Sequence, residues 1–183
     1  MIFEPVTEIP GAYKIELVNW SDSRGSLMEI WNSKNFIEQG VWPDFIPVQV
    51  NLVKSNQGAI RGIHRTIRYA PQRKIVTCTE GAIKDYLIDL RPESTHYRNV
   101  VSVAIDASKP LLLLVPERVG HSYQTISENS TVCYYFDRAY NPEEEIGINP
   151  FDQDLSITWD EPYILSPKDS NAPLLNEIAL ELL

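Results

Sequence analysis

Residues 74–89 read KIVTCTEGAIKDYLID, which is two runs of strand-forming residues separated by Gly81. Val, Ile, Tyr and Thr favour extended backbone because their branched or aromatic side chains pack well on a pleated surface. Polar and apolar residues partly alternate in both runs, as expected for strands that bury one face. We therefore predict two strands, Lys74–Glu80 and Ala82–Asp89.

Similar segments continue on both sides of this stretch, with glycine and proline between them. We predict further strands at Ala12–Val18, Ser26–Trp31, Val48–Lys54, Val100–Ile105, Leu111–Val115, His121–Ile126, Thr131–Asp137 and Ile157–Trp159. Helix signals occur only at Lys34–Gln39, with Asn32 or Ser33 as the N-cap, and at Leu174–Leu183. Many short strands and few helices predict an all-β fold, an antiparallel jelly roll with short peripheral helices. We expect a single domain spanning residues 1–183.

The composition limits the classes of partner. The chain has 183 residues and a formal net charge of −9, which argues against nucleic acid or an anionic membrane as a partner. We expect no signal peptide, and no apolar run in the sequence reaches membrane-spanning length. Cys78 and Cys133 lie apart in strand-like segments, so we expect both to be reduced and buried. These features predict a cytoplasmic protein.

The basic residues are unevenly distributed. Six of the 16 lie in the 21-residue window from residue 54 to residue 74, which contains no Asp or Glu. They are Lys54, Arg61, Arg65, Arg68, Arg73 and Lys74. Such a window suits a small anion such as phosphate, although it also fits a solvated positive strip.

Two of the three histidines, His64 and His121, follow glycine closely at strand boundaries. In a jelly roll, strands distant in sequence become neighbours, so the two histidines could share one cavity. A metal site would need about four ligands, and neither histidine has a second His or a carboxylate at ligand spacing. No Gly-x-Ser-x-Gly elbow, phosphate-binding loop or dinucleotide motif occurs. We therefore expect no metal and no cofactor.

Acid–base chemistry fits these residues better. His64 can accept a proton, and Tyr134 or Tyr135 can return one from a phenol. Lys74 can stabilise the negative charge of an enolate oxygen between the two steps. For each residue taken singly, a structural role in the core or on the surface remains open.

Taken together, the motifs resemble the dTDP-4-dehydrorhamnose 3,5-epimerase family of nucleotide-sugar epimerases. The resemblance extends from about Gly11 to Leu174. Its motifs are Asp22-Ser23-Arg24-Gly25 with Glu29, Gln49-Val50-Asn51, Arg61-Gly62-Ile63-His64, Lys74, Asp89-Leu90-Arg91, Gly120-His121, Tyr134, Tyr140-x-Pro142 with Glu143, and Leu165-Ser166-x-Lys168-Asp169. Each motif is short, but their order and spacing together are fairly specific.

The resemblance implies a metal-independent isomerase with a cupin-like jelly roll, acting on a nucleoside-diphosphate 4-keto-6-deoxy sugar. It implies a homodimer with an exchanged N-terminal strand. The implied catalytic residues are His64, Asp169, Tyr134 and Lys74. The implied substrate-binding residues are Arg24, Glu29, Gln49, Asn51, Arg61, His121, Tyr140 and Lys168. Within these sets, Asp169 orients His64, Arg61 holds the diphosphate, and Arg24 and Glu29 reach the nucleotide across the dimer interface.

The chain departs from the family pattern directly after His64. Arg65 and Thr66 stand where the family usually has an aromatic residue and glutamine, and the segment that follows is expected to border the sugar and phosphates. We therefore expect substrate choice to depend on this segment, and either one or two stereocentres to be inverted. A 3,4-ketoisomerase on the same fold and a non-catalytic nucleotide-sugar binding protein remain alternatives.

Overall fold

The two strands on either side of Gly81 are present with the predicted bounds, but they belong to different sheets. The computed structural model describes residues 1–183. At Gly81 the backbone has a φ of 72°, which glycine adopts at little cost. The chain therefore crosses from one layer of a sandwich to the other at this residue.

The structure contains thirteen strands and two short α-helices. The strands are β1 (Ile2–Pro5), β2 (Tyr13–Glu16), β3 (Asn19–Asp22), β4 (Gly25–Met28), β5 (Gln49–Asn56), β6 (Ile60–Thr66), β7 (Lys74–Glu80), β8 (Ala82–Asp89), β9 (Val100–Asp106), β10 (Leu111–Val115), β11 (Val119–Thr125), β12 (Asn129–Phe136) and β13 (Glu145–Gly147). The helices are α1 (Ser33–Gln39) and α2 (Pro167–Ser170), and Pro142–Glu144, Gln153–Leu155 and Leu175–Glu177 form single 3-10 turns. None of the helices is long and apolar enough to cross a membrane.

Two antiparallel sheets form the sandwich. One has the strand order β1-β2-β10-β7-β12-β5, and the other has the order β13-β6-β11-β8-β9. Their facing side chains form a buried cluster that includes Val76 and Val132 from the first sheet and Leu87 and Tyr123 from the second. The predicted all-β, cupin-like antiparallel jelly roll with short peripheral helices is thus confirmed.

A separate two-stranded hairpin, β3 and β4, lies outside both sheets. Seven of its eight residues are exposed, and they include the large apolar side chains Trp20 and Leu27. The edge strand β5 also exposes Val50 and Leu52, at 52% and 68% of their surface. The N-terminal part of the chain therefore carries apolar surface that its own core does not cover.

Helix α1 is present as predicted, with Asn32 as its N-cap and Gly40 as its left-handed C-cap. Two other predictions were wrong. Ile157–Trp159 is not a strand, because Trp159 is buried against Tyr86 while its indole N–H donates to the carbonyl of Pro150. Leu174–Leu183 is not a continuous helix: only Leu175–Glu177 forms one 3-10 turn, since Leu175 and Leu183 are buried separately in the core.

Strand β6 was not predicted, although it carries His64. Its sequence IRGIHRT has a glycine and three charged or titratable residues, so it does not show the composition of a strand. The strand forms because β11 and β13 pair with its two edges. Tertiary pairing therefore outweighs local preference at this position.

Candidate active site

An open cavity of about 500 Å³ lies between the two sheets of the sandwich. Nine of the twelve residues predicted to form the site line it. They are Asn51, Arg61, His64, Lys74, His121, Tyr134, Tyr140, Lys168 and Asp169. Residues from distant parts of the chain thus converge on one cavity.

His64 contacts a carboxylate that lies 105 residues away in the chain. Its Nε2 is 2.6 Å from Oδ1 of Asp169. Asp169 is held at the start of α2, where the hydroxyl of Ser166 donates to Oδ2 and accepts the backbone N–H of Asp169. Burial alone would raise the pKa of Asp169, but the hydrogen bonds from His64 and Ser166 outweigh it and lower this pKa. An ionised Asp169 keeps the proton on Nε2, which leaves Nδ1 of His64 able to accept one.

His121 lies directly opposite His64 on the neighbouring strand, because β6 and β11 pair in that register. Its Nε2 is 2.8 Å from Oδ2 of Asp85, and both side chains are buried. Burial lowers the pKa of His121 and raises that of Asp85. The prediction that the two histidines share a cavity is confirmed, and Asp85, which the sequence did not single out, is the residue that orients His121.

The opposite wall of the cavity belongs to the other sheet and carries Lys74 on β7 and Tyr134 on β12. Burial lowers the pKa of Lys74, although the nearby carboxylates of Glu145 and Asp85 partly oppose this effect. Burial also raises the pKa of Tyr134 well above its ordinary value. Tyr135 faces away from the cavity into a separate cluster, because successive residues of a strand point to opposite faces.

Tyr134 is held among aromatic side chains. Its ring stacks on Phe136 with a centroid distance of 5.6 Å and an interplanar angle of 8°. The ring of His121 meets it edge to face at 5.8 Å. Contacts of this kind fix the position of the phenol more narrowly than burial alone would.

At the cavity mouth, several polar side chains support one another. Gln49 donates to Asn51 at 3.1 Å and accepts the backbone N–H of Tyr140 at 2.8 Å. Gln49 therefore positions two lining residues without lining the cavity itself. Lys168 pairs with Glu145, and this ion pair raises the pKa of Lys168.

Glu145 lines the cavity, whereas the neighbouring Glu143 singled out by the motif does not. The difference follows from the local fold, because residues 142–144 form a 3-10 turn and Glu145 begins strand β13. The sequence offers three consecutive glutamates at this point and no signal that selects one of them.

Arg24 and Glu29 lie away from the cavity of their own chain. Arg24 occupies the tip of the exposed hairpin, where 89% of its side chain is exposed and it pairs with Asp22 at 2.6 Å. Glu29 accepts hydrogen bonds from Asn32 and Asn35 at the beginning of α1.

Of the segment expected to border the sugar and phosphates, Gln72 lines the cavity, whereas Arg65 at its beginning does not. Arg65 is only 2% exposed and points to the face of β6 opposite His64. Its guanidinium donates to the backbone oxygens of Thr66, Leu90 and Leu183. Burial, together with the charge of Arg118, lowers the pKa of Arg65 to about 10.

The basic window is also divided by the fold. Only Arg61 and Lys74 of its six members line the cavity. Arg73 pairs with Asp44 and Asp137, at 2.9 and 2.7 Å. The window therefore forms neither one anion site nor one solvated strip.

The glycines near the two histidines serve strand packing rather than ligand approach. A Cβ at Gly62, whose φ is 113°, would lie 2.5 Å from the backbone oxygen of His121. A Cβ at Gly120 would meet the side chain of Leu90 at 2.6 Å. No group of three or more His, Cys, Asp or Glu side chains is arranged to hold a metal ion, and Cys78 and Cys133 are both buried and unpaired.

The fold and the cavity define a β-sandwich protein with paired acid–base groups on two facing walls. The family model for dTDP-4-dehydrorhamnose 3,5-epimerase matches residues 6–177. The chain belongs to this family.

Its relatives include epimerases of two kinds. A dTDP-4-dehydro-6-deoxyglucose 3-epimerase from a Streptomyces species is 35% identical over 169 residues, which cover 91% of this chain and 86% of the relative. The crystal structure of NovW, a 4-keto-6-deoxy sugar epimerase from Streptomyces spheroides, superposes with a TM-score of 0.92 at 32% identity, covering 97% of this chain and 88% of NovW. The crystal structure of the 3,5-epimerase RmlC of Legionella pneumophila, in complex with dTDP-4-keto-L-rhamnose, superposes with a TM-score of 0.92 at 30% identity. The match covers 100% of this chain and 96% of RmlC.

Proposed function

We propose that the protein inverts one or two stereocentres, at the 3-position and/or the 5-position, beside the ketone of a dTDP-linked 4-keto-6-deoxy sugar. The observation that carries this proposal is the placement of His64 and Tyr134 on facing sheets of the sandwich. Inversion of a carbon requires a proton to leave one face and return to the other. Two proton-transfer groups on opposite walls of one cavity meet that requirement.

In the proposed mechanism, Nδ1 of His64 takes the proton from the carbon next to the ketone. Asp169 keeps the ring in the required tautomer and stabilises the imidazolium that forms. The electron pair moves onto the 4-keto oxygen, where Lys74 and His121 stabilise the enolate. Such preorganised donors are each worth about 3–4 kcal/mol. Tyr134 then donates its proton to the opposite face of the carbon, and the ketone forms again.

The remaining residues are proposed to bind the nucleotide end of the substrate. Arg61 lies at the cavity mouth, where its guanidinium can pair with the diphosphate. Asn51, held by Gln49, can add a hydrogen bond. Tyr140 and Lys168 border the same opening and are proposed to contact the sugar and the phosphates.

We further infer that the working unit is a homodimer with an exchanged N-terminal strand. The β3–β4 hairpin has few contacts with its own chain, and its apolar residues Trp20 and Leu27 are exposed. Docking on a second copy would cover them and would carry Arg24 and Glu29 toward the nucleotide in the partner's cavity. This arrangement accounts for two motif residues that lie far from their own cavity.

Incubation with dTDP-4-keto-6-deoxyglucose in D₂O, followed by NMR, tests the activity. We expect deuterium at C3, and also at C5 if both centres are inverted. His64→Asn should lower the exchange rate by about 10²-fold or more, as expected for loss of a general base. His96→Asn is the matched control, because His96 lies outside the cavity and contacts Asn99 and Ser94.

Two outcomes would contradict the proposal. Absence of deuterium in the sugar with wild-type protein would leave a binding function only. Movement of the carbonyl carbon signal from C4 to C3 would instead identify a 3,4-ketoisomerase.

A further inference from the structure

The cavity contains two histidine–carboxyl pairs that use the same ring nitrogen but lie in different surroundings. Nε2 of His64 is 2.6 Å from Oδ1 of Asp169, and Nε2 of His121 is 2.8 Å from Oδ2 of Asp85. The side chain of His64 is 26% exposed, whereas those of His121 and Asp85 are 4% and 0% exposed. Both histidines line the cavity, and in each the carboxyl group occupies Nε2. Nδ1 is therefore the nitrogen with which each histidine can meet a substrate.

Asp169 has a donor for each of its two oxygens. Oδ1 faces Nε2 of His64, and Oδ2 accepts the hydroxyl of Ser166 at 2.9 Å. Burial alone would raise the pKa of Asp169, but these hydrogen bonds outweigh it and lower the pKa. The ionised carboxylate keeps the ring proton of His64 on Nε2, so that Nδ1 presents a lone pair.

Asp85 differs because one of its oxygens has no donor. Oδ2 faces His121, but Oδ1 is buried without a hydrogen-bond partner, and it is the only carboxyl oxygen of the chain in this condition. A buried carboxylate with a bare oxygen is costly, since both oxygens share the negative charge. In the protonated acid, Oδ2 carries the hydrogen and donates it, and Oδ1 is a neutral carbonyl oxygen. The geometry therefore favours the protonated form of Asp85.

The groups around Asp85 leave this balance in place. Burial is the largest influence and raises the pKa of Asp85, while the charges of His121 and Lys74 oppose it. Lys74 is itself buried, which lowers its pKa, and it makes no hydrogen bond to Oδ1. Burial also lowers the pKa of His121, so both members of the pair favour their neutral forms. The other titratable groups near the pair are His64, Tyr123 and Tyr134.

Resting on the proposed function, we propose that Asp85 carries a proton in the resting protein and is a positioning residue that makes His121 a hydrogen-bond donor to the 4-keto oxygen. The carboxylic O–H donates to Nε2 of His121, so the proton of the imidazole ring lies on Nδ1. The Nδ1–H group then faces the cavity, and its hydrogen bond strengthens as negative charge grows on the substrate oxygen. An ionised Asp85 would instead draw the ring proton to Nε2 and turn the lone pair of Nδ1 toward that oxygen.

The two histidines thereby have opposite tautomers although each has an aspartate as its partner. His64 accepts a proton at Nδ1, whereas His121 donates a hydrogen bond from Nδ1. The difference comes from the surroundings of the two carboxyl groups, because Asp169 has a donor at each oxygen and Asp85 does not. Environments of this kind separate the pKa values of two like groups and assign them different tasks.

Nitrogen-15 NMR of the substrate-free wild-type protein at neutral pH tests the tautomer. The chain has three histidines, and the Nδ1–H tautomer, the Nε2–H tautomer and the imidazolium differ in the chemical shifts of their ring nitrogens. We expect His121 to be protonated on Nδ1 and His64 on Nε2. His96→Asn and His64→Asn each remove one set of signals, which assigns the third set to His121. A His121 ring protonated on Nε2 alone, or on both nitrogens, would overturn the proposal.

Two substitutions test the positioning role in the reaction. Asp85→Ala should slow deuterium exchange into the sugar about tenfold or more, the effect of losing a hydrogen bond to a charged group. Asp85→Asn should recover most of this loss, because its amide N–H can donate to Nε2 as the carboxylic O–H does. The same change in the other pair, Asp169→Asn, should instead slow exchange by about 10²-fold or more.

Equal exchange rates in Asp85→Ala and Asp85→Asn would overturn the positioning role. Where Asp85→Ala does not fold, Asp85→Asn is compared with wild type, and a loss as large as that in Asp169→Asn overturns it. Failure of the proposed function has a different result, because wild-type protein would then incorporate no deuterium, whereas the tautomer of His121 is measured without substrate. The two failures are therefore distinguishable.

Discussion

His64 and Asp169 are separated by 105 residues, yet Nε2 of the histidine lies 2.6 Å from Oδ1 of the aspartate. His64 lies on β6, the second strand of the five-stranded sheet, whereas Asp169 is the third residue of the four-residue helix α2 near the end of the chain. The Ser166 hydroxyl donates to the carboxylate and accepts the backbone N–H of Asp169, so the carboxylate is held by Ser166 on one side and by His64 on the other. The proposed base therefore depends on the docking of the C-terminal segment against β6.

Asp169→Asn should remove the negative charge beside His64 while keeping a side chain of nearly the same size. The amide keeps the volume but no longer holds the proton on Nε2 or stabilises an imidazolium, so we expect deuterium exchange to slow by about 10²-fold or more. The pH dependence of stability should also change. Because the folded-state pKa of Asp169 is lowered, its ionised form stabilises the wild type above the unfolded pKa of about 3.9, and this contribution is lost as the pH falls through the lower folded value.

Melting temperatures measured for both proteins between pH 2 and pH 7 check the second expectation. The wild-type curve should fall more steeply in acid than that of Asp169→Asn. Parallel curves would show that Asp169 has the same pKa in both states.

Lys74→Met should lower activity and raise stability together. The buried ammonium stabilises the enolate, so its loss should slow exchange by about 10²-fold. Replacing a poorly solvated charge with an apolar side chain of similar length should increase the free energy of unfolding by about 1–2 kcal/mol at neutral pH. Exchange kinetics and urea denaturation measure the two effects.

The pH dependence of stability gives an independent test of whether Lys74 is a buried charge. Burial lowers the pKa of Lys74 in the folded state, whereas its pKa in the unfolded chain is about 10.4. Between these two pKa values the unfolded chain binds more protons than the folded protein. The free energy of unfolding of the wild type should therefore increase as the pH rises across this range. Lys74→Met should lack that gain. A less stable Lys74→Met at neutral pH would contradict the assignment of Lys74 as a strained buried charge.

Arg65→Lys should reduce stability while leaving substrate binding unchanged. Lysine keeps a positive charge but cannot donate to the backbone oxygens of Thr66, Leu90 and Leu183 at once, so we expect a loss of about 1–3 kcal/mol in the free energy of unfolding. The KM for the nucleotide sugar should stay within about twofold of wild type. A large rise in KM with unchanged stability would instead place Arg65 in substrate recognition.

The exchanged hairpin predicts complementation between two impaired variants. Arg24→Ala should raise KM, and His64→Asn should slow exchange by about 10²-fold or more. If Arg24 serves the partner's cavity, a mixed dimer contains one site with an intact His64 and an intact Arg24. Mixing the two proteins after denaturation and refolding should therefore restore activity at low substrate concentration.

If Arg24 acts in its own cavity, mixing should restore nothing beyond the sum of the two separate activities. Size-exclusion chromatography with light scattering provides the structural check. Trp20→Ser combined with Leu27→Ser should reduce the molar mass toward that of one chain. Ile126→Ser, which changes an apolar residue that is 40% exposed elsewhere on the surface, should not.

The sequence by itself determined the fold class and most of the chemical groups at the candidate site. Strands such as β7, β8 and β10 have the predicted bounds because their Val, Ile, Leu and Thr residues prefer extended backbone, although the structure buries both faces of these strands rather than one. Most site residues were found because motif order identifies them without knowledge of the fold. The family resemblance selected Tyr134 rather than Tyr135, and the alternation of side chains along β12 agrees with that choice.

Tertiary structure alone decided which groups meet. Strand β6 forms because two other strands pair with it, and its alternation sends His64 into the cavity and Arg65 into the core. Asp85 and Glu145 acquire their roles only from neighbours that are distant in the chain. The physical reason is that local preferences depend on adjacent residues, whereas partners, burial and the resulting pKa shifts depend on how the two sheets face each other.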